Sequence, residues 1–273
     1  MATADPPNPP RVVVAVDASA ASLLALELAA DLAVALRASL AGLYVEEEDL
    51  LHAAGLACVR EVRAQSGQLA PFTADALQRH WRALAADARN ALTRIAQTRQ
   101  LAWSFEVVRG QAAQVMSEAA RSARLTGLGT GARGPGRLGS LARAALVGAE
   151  ASLLLVPPQR RPGTRWTALL DTPGGAPAVL ALADALAARS SIPLLLVAPA
   201  MEAACPAAAT ATAGAAPLPR IKLPESVELP DLFALLRAHH AQGLILAADS
   251  RFAGPAEVEN LLLEGGWPLL LVR

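Results

Sequence analysis

Lysine is almost missing from this chain: Lys222 is the one lysine in 273 residues, and every other basic side chain is arginine. A Walker-type phosphate loop needs a lysine directly after its second glycine, and Schiff-base catalysis needs a lysine amine. Lys222 follows no glycine loop, so the first is excluded and the second has no support. Cysteine is equally scarce. Cys58 and Cys205 lie far apart with no CxxC or Cys/His ligand spacing, which reads as ordinary thiols in a reducing compartment, not a disulfide or a metal set. Aromatic residues are 3% of the chain, and Trp81, Trp103, Trp166 and Trp267 have no clustered basic residues beside them, so packing is expected of them and not base stacking. Neither sign of charge dominates, with 24 basic and 24 acidic side chains, which removes a bulk pull toward nucleic acid or an anionic membrane. No apolar run approaches the roughly 18 residues of a spanning helix. The start, MATADPPNPP, is polar and proline-rich and reads as a disordered lead over 1–10, and the expected location is cytoplasmic.

What the chain does have is a 53% hydrophobic composition, enough for two cores, and a rhythm. RVVVAVD at 11–17 is a continuous apolar run ending in an acid, as expected of a strand buried on both faces of a parallel sheet. Ser19 fits an N-cap for the helical pattern LLALELAADLAVALRA. Further strands are expected at 39–48, 101–110, 124–129 and 151–158, with helices at 78–99, 112–123 and 138–149. Strand alternating with helix predicts an open, parallel, doubly wound sheet.

QRRPGTR then interrupts with proline, glycine and charge, giving a linker at 159–164, after which the rhythm restarts over 165–273. WTALLDT is a weaker copy of VVVAVDAS, and PAVLALADALAARSS repeats the first helix. IPLLLVAP and GLILAADS supply strands, PAEVENLLLEGG a helix, and WPLLLVR mirrors SLLLVPP. MEAACPAAATATAGAAPLPR is low in complexity and reads as a mobile loop in place of a helix. The fold class expected is therefore α/β: two tandem doubly wound parallel-sheet domains, over 11–158 and 165–273, the second reduced.

Candidate ligand groups are few. Glu46, Glu47, Glu48 and Asp49 at the end of a strand read either as a metal cluster or as a solvated loop with Asp49 capping a helix LLHAAGLACVREV. His239 and His240 are neighbours on a helical stretch, about 100° apart around it, and cannot grip one ion together. Asp17 reads as a ligand group or as a cap and turn residue beside Ser19. The glycine-rich stretch LTGLGTGARGPGRLGS at 125–140 contains GTGARG, which matches the dinucleotide string G-x-G-x-x-G. That motif belongs after a first strand, with a helix already running at its third glycine. Here the strand is the fourth and Pro135-Gly136 follow at once, so that reading fails.

In order and landmarks, VVVAVDASAAS, the strand ending LYVEEE, and the sequence strand, glycine loop, Gly-Ser, helix, apolar strand resemble the universal stress proteins. The resemblance covers nearly all of 11–158 and, more faintly, 165–273. It implies an ATP site with Asp17 near adenine and ribose, Val45 after the second strand, and a phosphate loop of the form G-x2-G-x9-G-[ST] whose ends are Gly129 and Gly139-Ser140. The middle departs from the pattern: position 132 is alanine, and Gly129 to Gly139 spans ten residues where the pattern has thirteen. Gly131 or Gly134 can stand in for the missing glycine, and Arg133 and Arg137 add charge. The resemblance thus implies a non-enzymatic stress-response module that takes ATP, with magnesium alongside it, and acts through protein partners. It also implies pairing of the two copies through their last strands as a pseudo-dimer within one chain, with a homodimer as a further arrangement. The alternatives from the residues are a ligand-free interaction domain and a weak ATPase or nucleotidyl transferase; no nucleophile–base pair supports the last.

Overall fold

A computed structural model of the chain describes residues 10–56, 58–62, 67–131, 138–148, 150–189, 193–199, 218–223 and 226–273. The first half runs β1 (Arg11–Ala15), α1 (Ala20–Leu36), β2 (Ser39–Glu47), α2 (Glu48–Ala54), β3 (Arg60–Val62), β4 (Leu69–Pro71), α3 (Ala74–Thr98), β5 (Trp103–Gly110), α4 (Ala112–Arg121), β6 (Leu125–Gly129), α5 (Ser140–Gly148) and β7 (Ser152–Val156). The second runs β8 (Arg165–Leu169), α6 (Ala176–Arg189), β9 (Leu194–Pro199), β10 (Arg220–Leu223), α7 (Leu229–Ala238), β11 (Ala241–Ala247), α8 (Pro255–Leu263) and β12 (Leu269–Val272). Ten strands form one sheet in the order β10-β9-β8-β11-β12-β7-β6-β1-β2-β5. Each half contributes five parallel strands in the same internal order, so the chain is two doubly wound α/β units in tandem.

The strands alternate as a sheet covered on both faces requires. Val12, Val14 and Val16 of the first strand and its exit join one core with α1, α3 and α6, while Val13 joins the other with α4, α5, α7 and α8. Between the halves β7 and β12 pair antiparallel, with Leu154 opposite Leu270 at the centre. A pseudo-twofold through that pair relates the two units. Each last strand thereby covers the other's edge, and the sheet ends only at β5 and β10.

Ser19 caps α1 as expected, its side chain accepting the Ser22 N–H. The expected helix after the acidic run is shorter. It begins at Glu48, so Asp49 lies in its first turn without capping it, and it ends at Ala54 with Gly55 as its C-cap. The remainder of that stretch turns into a small antiparallel hairpin, Arg60–Val62 against Leu69–Pro71. In the second half α7 ends at Ala238, with His239 as its C-cap and His240 beyond it at φ 51. The low-complexity loop and the lead at 1–9 lie outside the described residues, except Leu218–Arg220, of which Arg220 opens β10. Cys58 is a free, exposed thiol, and Cys205 lies outside the described residues. Among the described residues no helix is long and apolar enough to cross a membrane.

Candidate functional site

In the first half β1 leads through α1, on one face, to its neighbour β2, whereas β5 leads through α4, on the other face, to β6, which flanks β1 on its other side. Where connections diverge to opposite faces, a crevice opens beyond the carboxyl ends of the two central strands. Asp17 follows β1 and Gly129 ends β6, so both stand at this switch point.

The turn after β1 is tightly organised. An Asp17 carboxylate oxygen accepts the Ser19 N–H at 3.0 Å, and the Asp17 N–H donates to Ser22 Oγ at 3.3 Å. The Ser22 hydroxyl donates to the Ser19 carbonyl at 3.0 Å. Between them Ala18 takes a left-handed backbone with φ 61. That conformation costs an alanine roughly 1–2 kcal/mol, so the surrounding hydrogen bonds must hold it. Burial alone would raise the Asp17 carboxyl, but the Ser19 and Ser22 groups outweigh it and hold it below the usual carboxylate value. Asp17 is nonetheless exposed. Beside it, burial and then the Glu46 and Asp17 carboxylates push the Tyr44 phenol up to about 12.

The loop after β6 begins and ends as a closed mouth. Thr130 is tied to the Val156 carbonyl by both its N–H and its hydroxyl. A Cβ added at Gly139 would lie 3.3 Å from the Gly131 carbonyl oxygen, so the two ends of the loop touch, while Gly131 itself faces open space. The Gly139 carbonyl accepts the Arg143 N–H as α5 begins, and Ser140, the first residue of that helix, is exposed. Ala132, Arg133, Gly134 and Arg137 lie outside the described residues. Gly129 has another reason to be glycine: a Cβ there would meet Ser22 N at 2.5 Å and the Ala21 carbonyl carbon at 2.6 Å. The first turn of α1 rests on it. Val45 is half-buried against the α4-side core.

Sequence reasoning missed Glu259. Its carboxylate, on α8 of the second half, accepts the Leu138 N–H at 3.0 Å and so pins the far end of the first half's loop across the molecule. No local pattern signals a bond between residues so distant in the chain. The acidic run resolves into ordinary roles: Glu46 holds Arg109 at 2.8 Å, and Glu48 lies 4.0 Å from His52. Among the described residues no three His, Cys, Asp or Glu side chains converge as a metal set.

At the second half's switch point the space is arranged differently. Ser250 donates to Asp171 at 2.8 Å, and Thr172 donates to Asp249 at 2.8 Å. Burial raises the Asp171 carboxyl, and its Oδ1 is enclosed without a partner. The Asp249 carboxylate stands against Gly174 and Gly175, where α6 begins, so a protein carboxylate occupies the ground that the glycine loop mouth leaves open in the first half.

No family sequence model matches the chain, and no curated protein does. Solved structures do. A universal stress protein from Archaeoglobus fulgidus DSM 4304 superposes with a TM-score of 0.66 over 96% of this chain and 98% of that one, at 12% identity. A functionally unknown protein from Pseudomonas aeruginosa PAO1 gives 0.59 over 97% and 92%, at 13% identity. The tandem, doubly wound architecture thus defines the class, an open parallel-sheet α/β protein. Within it, this chain has the universal stress protein fold, and the likeness runs through both halves.

Proposed function

We propose that the chain is a non-enzymatic stress-response module whose first half holds an adenine nucleotide and which acts through protein partners. One observation carries this reading: across adjacent strands β1 and β6, the exposed Asp17 turn faces a loop whose ends, Gly131 and Gly139, close together and hand over to α5. A carboxylate at that place suits ribose hydroxyls. The N–H groups at the start of α5, where the helix dipole places roughly half a positive charge, suit phosphate. Gly131 lets the backbone approach without a side chain. ATP is the ligand these groups fit, with magnesium carried on its phosphates. The second half, where Asp249 fills the corresponding ground, serves structure.

Titration of the purified chain with ATP and ADP, with and without magnesium, tests the reading, together with chromatography of nucleotide released on denaturation. Binding at millimolar ATP or tighter is expected, and Gly139→Val, which pushes a branched side chain toward the Gly131 carbonyl, is expected to abolish it. No affinity at millimolar ATP, or full affinity in Gly139→Val, overturns the proposal. Turnover lost in Asp17→Ala would assign an ATPase instead. The second reading, a ligand-free scaffold, is favoured by Gly129, whose missing side chain α1 already requires.

A further inference from the structure

The seam between the halves has two ends, related by the pseudo-twofold. At one end β7 finishes beside the start of β12; at the other β12 finishes beside the start of β7. The first end is sealed by the linker. There the Arg160 guanidinium donates to Gln242 Oε1 at 2.8 Å, and the Arg161 N–H donates to the Gly266 carbonyl at 2.8 Å. By strand register Gln242 stands where the second end has Arg124, and Gly266 where it has Glu150. Among the described residues no segment crosses the second end.

What remains there is a hollow of about 330 Å³, within the range of small-ligand clefts. Both halves build it. Its apolar walls come from Leu36 and Leu125 of the first half and from Ala178, Ala181, Leu182 and Val272 of the second. Its polar groups are Arg124, Arg273, Ser152 and Glu150. The exposed Arg124 guanidinium has no ion pair among the described residues. Arg273 gives one guanidinium N–H to the Leu146 carbonyl at 2.9 Å, which fixes the side chain and leaves its other donors without a partner among the described residues. Ser152 Oγ accepts the Arg273 backbone N–H at 3.3 Å and keeps its own hydroxyl proton to donate.

We infer that this hollow binds a small amphiphilic monoanion, an aliphatic carboxylate whose head lies between Arg124 and Arg273 and whose tail lies on Leu36, Leu125 and Leu182. Guanidinium forks match a carboxylate's two oxygens, and the apolar walls take the tail out of water. Glu150 on the rim repels further negative charge, so a polyanion such as a nucleotide is disfavoured here. The site therefore stands or falls independently of the switch-point crevice.

Isothermal titration of the full chain with octanoate tests it. Binding that survives saturating ATP is expected, weakened about tenfold or more in Arg124→Ala, as loss of a hydrogen bond to a charged group implies. Arg124→Lys should recover part of that loss. Ala181→Phe, a change at an exposed helix position, fills the hollow from one wall and should abolish binding while circular dichroism stays unchanged. Absence of octanoate binding up to 10-fold above millimolar concentration, or equal affinity in Arg124→Ala and Ala181→Phe, overturns the inference. Competition by ATP in proportion to its own binding would move the carboxylate to the crevice and overturn it as well.

Discussion

In the first half β6 ends in glycine and the first turn of α1 carries alanine; in the second half β11 ends in alanine and a glycine stands just before α6. Gly129 lies under Ala21 and Ser22, while Ala247 lies against Gly175. Both halves need strand and helix to approach more closely than two side chains permit, and each satisfies the need with one glycine on opposite partners. The obstacle differs, however. A side chain on Gly129 would strike backbone atoms of α1, whereas one on Gly175 would strike the Ala247 methyl and the Asp249 carboxylate. A glycine that opens a glycine-rich loop can therefore owe its place to packing alone.

The largest effect expected from this comparison is at Gly129. Gly129→Ala should destabilise the chain by about 3 kcal/mol, measured by denaturant unfolding, because helix backbone cannot rotate aside as a side chain can. A loss under about 0.5 kcal/mol would show that α1 can shift and that the contact is loose. Gly175→Ala should cost about 1–3 kcal/mol, and Ala247→Gly in the same chain should recover part of it, since removing the methyl frees the space. Strict additivity in that double-mutant cycle would break the comparison. The same Ala247→Gly change should do nothing for Gly129→Ala.

A smaller effect separates the two acids. Asp17 has a lowered carboxyl pKa, so its stabilising contribution is present above the unfolded value of 3.8 and lost as pH falls through the folded one. Asp171 has a raised one, so the folded state holds the extra proton between 3.8 and its folded value, and stability declines as pH rises through that window. At pH 7 Asp17→Asn should lower the thermal midpoint and Asp171→Asn should raise it, each by about 1–2 °C, and both differences should vanish in acid. Shifts of the same sign in the two variants would refute the contrast.

The strands were the most legible part of the sequence because sheet burial on both faces leaves unbroken apolar runs such as VVVAV and SLLLV. The short exposed hairpin of β3 and β4 leaves no such run: Arg60, Val62, Leu69 and Pro71 are all exposed, so helical spacing upstream extended past Gly55 unopposed. For α7 the signal was present in the Glu228 and Asp231 capping box, but the low-complexity stretch and the short β10 before it break the rhythm that would have framed it. At the site, Asp17 and Ser19 were readable because their bonds are local. The bond from Leu138 to Glu259, the Thr172–Asp249 bond and the contact that makes Gly129 glycine were not, because each joins residues that only the finished fold brings together.

The β7–β12 seam also governs the order in which the chain can be completed. β7 is synthesised long before β12, the strand that pairs with it. Until Leu269–Val272 emerges, the Ser152–Val156 ribbon is a strand apolar at every position but the first, with one open side, and at about 5–20 residues per second that interval lasts several seconds. During it the first half can pair with any other nascent copy in reach, so the tandem chain has a vulnerable window in biogenesis that its finished form conceals.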